Sequence, residues 1–185
     1  MNRTTIAYSG QPGAFSHQAC LVFRPASEPV ALPSFGAVVA AVKGGETDLG
    51  ILPVENSAAG PVAEVHQLLA VGGLATRSEH VLPVRMHLLA LRGSRLADIR
   101  IVISHPMALA QCAGTLRSLV LPGEAAANTA VAAKRLAATT DRHVAVLASE
   151  AAAEAYGLTI LRRDVHDRPD NATTFRVLAR PDEPA

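Results

Sequence analysis

Four polar clusters stand where one secondary element gives way to the next, the places at which α/β sheets usually put ligands. Gly10-Gln11-Pro12-Gly13-Ala14-Phe15-Ser16-His17 joins a strand to a helix. Glycines there let backbone N–H groups approach a ligand, and a helix N-terminus favours an anion. Glu55-Asn56-Ser57 follows a strand, and the Asn56 amide can both donate and accept. Ser104-His105-Pro106 opens a helix on which Gln111 lies seven residues beyond Ser104, about two turns on, with its side chain leaning back toward the helix start. Asn171-Ala172-Thr173-Thr174-Phe175-Arg176-Val177-Leu178 alternates as a strand does, with Thr173 and Phe175 on one face and Thr174 and Arg176 on the other. These are neutral hydrogen-bonding groups suited to orienting a small polar or anionic ligand. Taken singly, each also fits a turn, a helix cap or a closing strand.

Several chemistries lack their residues. The glycine loop is neither G-x-G-x-x-G nor G-x-x-x-x-G-K-[ST], which argues against a nucleotide loop. No Asp or Glu stands at a spacing that completes a Ser/His triad, and G-x-S-x-G is missing, so a hydrolase is rejected. Cys20 and Cys112 share no metal-ligand spacing and suit two buried thiols in a reducing compartment. Lys and Arg number 17 against 16 Asp and Glu, with no basic stripe, so nucleic acid and membrane surfaces are poor partners. No apolar run approaches the roughly 18 residues that span a bilayer. The start, Met1-Asn2-Arg3-Thr4-Thr5, lacks a signal peptide's apolar region, and a cytoplasmic protein is expected.

The 185 residues, 49% hydrophobic, suffice for one domain or two small lobes with a real core. Strand patterns cover 4–8, 48–53, 99–103, 143–147, 158–161 and the Thr173 segment, and residues 81–91 read as one long strand crossing between lobes. Helices are expected from Phe15 to Phe23, after a Ser34 cap and up to Gly44-Gly45, from near Pro61, from Pro106 to about Leu119, over 130–138 behind Asn128 or Thr129, and over 149–156 with Gly157 at its end. Ser57 is a candidate cap for the helix near Pro61. An acidic, Pro-containing loop, 164–170, precedes the last strand, and a frayed tail is expected over 181–185. Alternating strands and helices argue an α/β protein with mostly parallel sheets.

In order, Gly10-x-x-Gly13-x-Phe15-Ser16-His17, Pro53-Val54-Glu55-Asn56-Ser57-x-x-Gly60, Ser104-His105-Pro106…Gln111-Cys112, Tyr156-Gly157-Leu158 and Asn171-x-Thr173-x-Phe175 together resemble the prephenate dehydratase family over almost the whole length. The resemblance implies two α/β lobes with an interlobe cleft, similar to type II periplasmic binding proteins. Lobe 1 would take about 1–80 plus 163–180, and lobe 2 about 81–162. It implies conversion of prephenate to phenylpyruvate, carbon dioxide and water, with no metal or organic cofactor, by a homodimer or homotetramer. Thr173 matches the catalytic threonine. Asn56, Ser104 and Gln111 match active-site positions, and Gly13, Phe15, Ser16 and Phe175 match positions near the ligand.

The sequence also departs from the family. The closing motif is Thr-Arg-Phe in the family but Thr173-Thr174-Phe175 here, and Gln67 stands where an Asp is usual. Arg176, about 6.6 Å along the same strand face from Thr174, either takes over part of the missing arginine's role or is a solvated strand charge. The chain ends before a regulatory ACT domain would begin, so no response to phenylalanine is expected. Two alternatives share the motifs: a non-aromatising prephenate decarboxylase, and a ligand-binding relative without activity.

Overall fold

In a computed structural model, residues 3–181 are described; the start at Met1 and the tail 182–185 lie outside them. The chain divides into two compact units. Among the described residues, the first contains 3–11, 15–84 and 170–181, the second 12–14 and 85–169.

The first unit is a mixed sheet with helices on both faces. Its strands are β1 (Thr5–Ser9), β2 (Glu28–Leu32), β3 (Leu49–Asn56), β4 (Gly60–Pro61), β5 (Ala75–Pro83) and the closing strand Ala172–Ala179, here β11, in the order β2-β1-β3-β11-β5 with β4 paired to β3. Strand periodicity sorts the side chains. Ile6, Tyr8, Ile51, Leu82, Phe175 and Val177 meet Ala19 and Cys20 of α1 (Phe15–Phe23) on one face. Ala7, Leu52, Val54 and Leu178 meet α2 (Phe35–Gly44) and α3 (Ala63–Gly72) on the other. As expected, Ser34 caps α2, its Oγ accepting from Ala37 N at 3.1 Å.

The second unit's sheet runs β10-β6-β9-β7-β8, from β6 (His87–Ala90), β7 (Ile101–Ser104), β8 (Gly123–Ala125), β9 (Val144–Ala148) and β10 (Thr159–Arg162). One face is covered by α6 (Thr129–Ala137) and α7 (Glu150–Tyr156), whose alanines pack on Leu89, Val146 and Ala148. Asn128 caps α6 and Ser149 caps α7. The short helices α4 (Pro106–Gln111) and α5 (Ala113–Ser118) follow β7.

Several expectations need correction. The sheets are mixed: α1 and α2 carry the chain into parallel neighbours β2 and β3, whereas β11 runs back antiparallel between β3 and β5. Residues 81–91 are not one strand. Val84, Arg85 and Met86 separate β5 from β6, and the two belong to different sheets. The helix expected from Pro106 to Leu119 breaks at Cys112 (φ −116°, ψ 12°). The strand β2 went unread because Glu28 and Pro29 are poor strand formers, which an edge position tolerates.

His87 makes the second unit acid-sensitive. It is 3% exposed, and its Nδ1 accepts from Asp164 N at 3.0 Å, which requires that nitrogen unprotonated. Burial holds the imidazole below its ordinary 6.5, against the opposing pull of Asp164 and Glu150. The unfolded chain therefore binds the proton first as pH falls. The stability from neutral His87 is intact above about 6.5 and is lost between that value and the lower folded one. The urea midpoint is expected to be lower at pH 5.5 than at pH 7.5, and less so in His87→Gln. A pH dependence unchanged by that substitution would remove His87 from the account.

Candidate active site

Asn56 and Thr173 face each other as a registered pair at the ends of β3 and β11. Asn56 is the hub. Its Oδ1 accepts from Ala58 N at 3.0 Å and Ala59 N at 2.9 Å, which fixes the amide's orientation. Its Nδ2 must then point the other way, where it donates toward Thr173 Oγ1 at 2.9 Å, Asn171 Oδ1 at 3.0 Å and Ala172 O at 3.1 Å. Two hydrogens serve three acceptors, so at least one contact is shared. The consequence falls on Thr173. Its oxygen accepts from Asn56, and its own proton makes no hydrogen bond among the described residues. The hydroxyl is thus prepared as a donor to something outside the protein, on a residue only 8% exposed.

Ser57 closes the loop behind this pair. Its N donates to Ala172 O at 2.9 Å, and its Oγ accepts from Ala172 N at 2.9 Å and donates to Asp170 O at 3.2 Å. It is not the expected helix cap. Residues 60–61 instead form β4, and α3 starts behind Val62, which has no side-chain cap.

Phe175 sits below Thr173 at 1% exposure, packed in the core with Tyr8 and Cys20. Its ring supports the strand and has no free surface to offer a ligand. Phe15 packs against the same cluster, and Ser16, half-buried, lies inside the first turn of α1 rather than at its cap. Arg176 Nε is 2.8 Å from Glu79 Oε2, and the two residues are directly opposite on β11 and β5. The pair lies across the two strands, with both side chains partly exposed.

In the second unit, Ser104 is fully buried at the end of β7. Its Oγ donates to Leu147 O at 2.8 Å, joining β7 to β9. It does not cap α4; His105 does, its Nδ1 accepting from Met107 N at 3.2 Å. Ser104 ends strand β7 and α4 begins only at Pro106, so Ser104 and Gln111 do not share a helix. Gln111 ends α4, half-buried, and its amide makes no hydrogen bond among the described residues. Asp167 holds that helix end. Its N donates to Gln111 O at 2.7 Å, while its carboxylate accepts from Gly114 N at 2.8 Å and Thr115 N at 3.2 Å, the first turn of α5. A side chain on Gly114 would meet Asp167 Oδ1 at 2.8 Å.

Gly13 also serves the fold. At φ +84°, a Cβ there would lie 2.6 Å from Ala152 Cα, so the absent side chain makes room for α7. Ser149 Oγ and Tyr156 OH tie the loop down by donating to Gly13 O and Pro12 O, each at 2.7 Å. Gly13→Ala is expected to destabilise by about 2–4 kcal/mol, from left-handed strain plus overpacking. A thermal melt within a degree of the original would refute this.

Neither cysteine is a nucleophile. Burial pushes both thiols up to about 12, with Asp167 adding to the effect at Cys112. Among the described residues, no helix is long and apolar enough to cross a membrane.

A family model described as prephenate dehydratase matches residues 6–183. The chain belongs to the prephenate dehydratase family. Within it, this member is 41% identical over 179 residues to arogenate dehydratase/prephenate dehydratase 2, chloroplastic, of Arabidopsis thaliana, across 97% of this chain and 47% of that protein. It is 39% identical over 175 residues to a bifunctional N-acyl-homoserine lactone acylase/prephenate dehydratase of Komagataeibacter europaeus, across 95% of this chain and 62% of that one. The structure of a prephenate dehydratase from Arthrobacter aurescens in complex with L-Phe, 27% identical, superposes with a TM-score of 0.86 over 97% of this chain and 61% of that one. This family member thus spans about half the length of the plant relative and about six-tenths of the other two.

Sequence reasoning passed over Asp167, and it gave Asn171 and Ser57 no part in the hydrogen bonding that the structure shows around Asn56 and Ala172. Asn171 left a signal, since it is a polar amide two residues before Thr173, immediately ahead of the closing strand.

Proposed function

We propose that this chain catalyses the decarboxylating dehydration of prephenate to phenylpyruvate. One observation carries the proposal: Asn56 Nδ2 occupies Thr173 Oγ1 as an acceptor and leaves the threonine proton free to donate. Prephenate already carries the driving force, because losing carboxylate and hydroxide together creates an aromatic ring. In that step the bond from the ring to the carboxylate breaks and releases carbon dioxide. Its electron pair enters the ring, the C4–O bond breaks, and hydroxide leaves. Hydroxide is a poor leaving group unless a donor meets it as charge develops. Thr173 is that donor. Its hydroxyl is too weak an acid to ionise fully, so it shares its proton in the transition state and recovers it as water is formed with a proton from solvent. Overall, the prephenate dianion and one proton become phenylpyruvate, carbon dioxide and water.

Asn56, Ser104 and Gln111 remain the substrate-orienting residues of the proposal. Ser104 acts by bracing its strand, because its hydroxyl is already engaged. Homologues named for arogenate make that compound the natural second substrate to assay. Incubation with prephenate, and separately with arogenate, followed by product identification tests the proposal. Phenylpyruvate from prephenate supports it. A non-aromatic decarboxylated product would establish the decarboxylase alternative, and recovery of both compounds unchanged would leave only a binding role.

A further inference from the structure

The amide of Asn171 is held by one end only. The residue is 7% exposed. Its Oδ1 accepts from Asn56 Nδ2 at 3.0 Å and faces Ser57 Oγ at 3.5 Å, the latter at the outer limit of a hydrogen bond. Asn56 cannot be turned around, because its own oxygen already takes two backbone N–H groups. Asn171 therefore cannot be turned either: Asn56 presents a donor, and only the Asn171 oxygen can meet it. This leaves the Asn171 Nδ2 hydrogens directed away from Asn56, and they make no hydrogen bond among the described residues. An amide whose oxygen is held in place while its N–H groups stay open is an oriented donor, available to a ligand oxygen. Asn171, just before β11, and Thr173, within it, are two residues apart; both accept from Asn56 Nδ2, and both keep protons unspent.

We propose that Asn171 Nδ2 is a substrate-binding donor, paired with the Thr173 hydroxyl and directed at an oxygen of the same anionic ligand. The assignment rests on the dehydratase reading of the Thr173 site. It gives that site two neutral donors side by side, set in opposite sense to a single amide hub. Neutral donors suit a ligand that must lose a carboxylate, because they orient it without holding the departing charge as a guanidinium would.

Asn171→Asp separates this role from a structural one. The aspartate keeps an oxygen for Asn56 Nδ2 and Ser57 Oγ but replaces the free N–H groups with a second oxygen. If Asn171 serves only to brace Asn56, this variant behaves like the original. If it donates to substrate, kcat/KM for prephenate falls on the order of 10- to 100-fold, with the thermal melt little changed. Binding is measured separately by calorimetric titration of prephenate into Thr173→Val, which turns it over at most slowly, with and without Asn171→Asp. Weakening of at least tenfold by the second substitution supports the assignment. Undiminished binding overturns it and leaves the dehydratase proposal standing. Failure of the Thr173→Val chain itself to bind prephenate would overturn the dehydratase proposal and this inference with it.

Discussion

Thr173→Val abolishes most turnover of prephenate, on the order of 10²- to 10³-fold in kcat, while the chain folds and melts close to the original. Valine matches threonine in shape, so the 8%-exposed position stays filled and the strand keeps its β-branched side chain. On the proposed mechanism, what disappears is the proton offered to the leaving hydroxide. Thr173→Ser keeps that proton and loses only the methyl group, so it retains a large part of the rate. The comparison is decisive because the two variants differ in chemistry far more than in packing. A Thr173→Val chain with near-original turnover would remove Thr173 from the reaction altogether.

Asn56→Asp produces a loss of similar size, on the order of 10²-fold, without touching Thr173. Asn56 Oδ1 accepts from Ala58 N and Ala59 N, and a carboxylate preserves both bonds. The other end changes sign. An ionised oxygen in place of Nδ2 cannot donate to Thr173 Oγ1, so the threonine turns its proton inward to meet it. The catalytic hydroxyl is still present but points the wrong way. The same carboxylate also faces Asn171 Oδ1 and Ala172 O, two acceptors it repels. That repulsion favours the protonated acid, which can donate as the amide did. Activity of Asn56→Asp is therefore expected to recover in part as pH falls, while the original chain shows no such gain. Measured kcat profiles of the two proteins check this. Full activity of Asn56→Asp at neutral pH, where the carboxylate is ionised, would show that the direction of the Thr173 proton does not matter.

Much of this was legible in the sequence. α1 begins and ends at the residues expected, and Ser34 and Asn128 cap their helices, because capping is settled within three or four residues of chain. The alternation through Thr173, Phe175 and Val177 marked a strand half turned to a core, and those residues are buried. What failed depended on distant partners. Cys112 looks helical from its neighbours, yet the helix breaks there and resumes where Asp167, more than fifty residues later, caps Gly114 and Thr115. Ser57 looks like a cap and instead clasps Ala172.

The candidate site divides along the same line. Residue type and spacing determined that Asn56 and Thr173 belong to strand ends and carry neutral polar groups, since period-two geometry and amide chemistry are local properties. Only the tertiary structure decided which way those groups point. The antiparallel register of β11 on β3 sets Thr173 opposite Asn56, and the turn at Ala58 and Ala59 fixes the amide that makes the threonine a donor. The tertiary structure likewise assigned Arg176 to Glu79, because β5 lies beside β11 and places opposite charges directly across from one another. Hydrogen-bond direction depends on the partner's atoms, and the partners here lie 117 and 97 residues away along the chain.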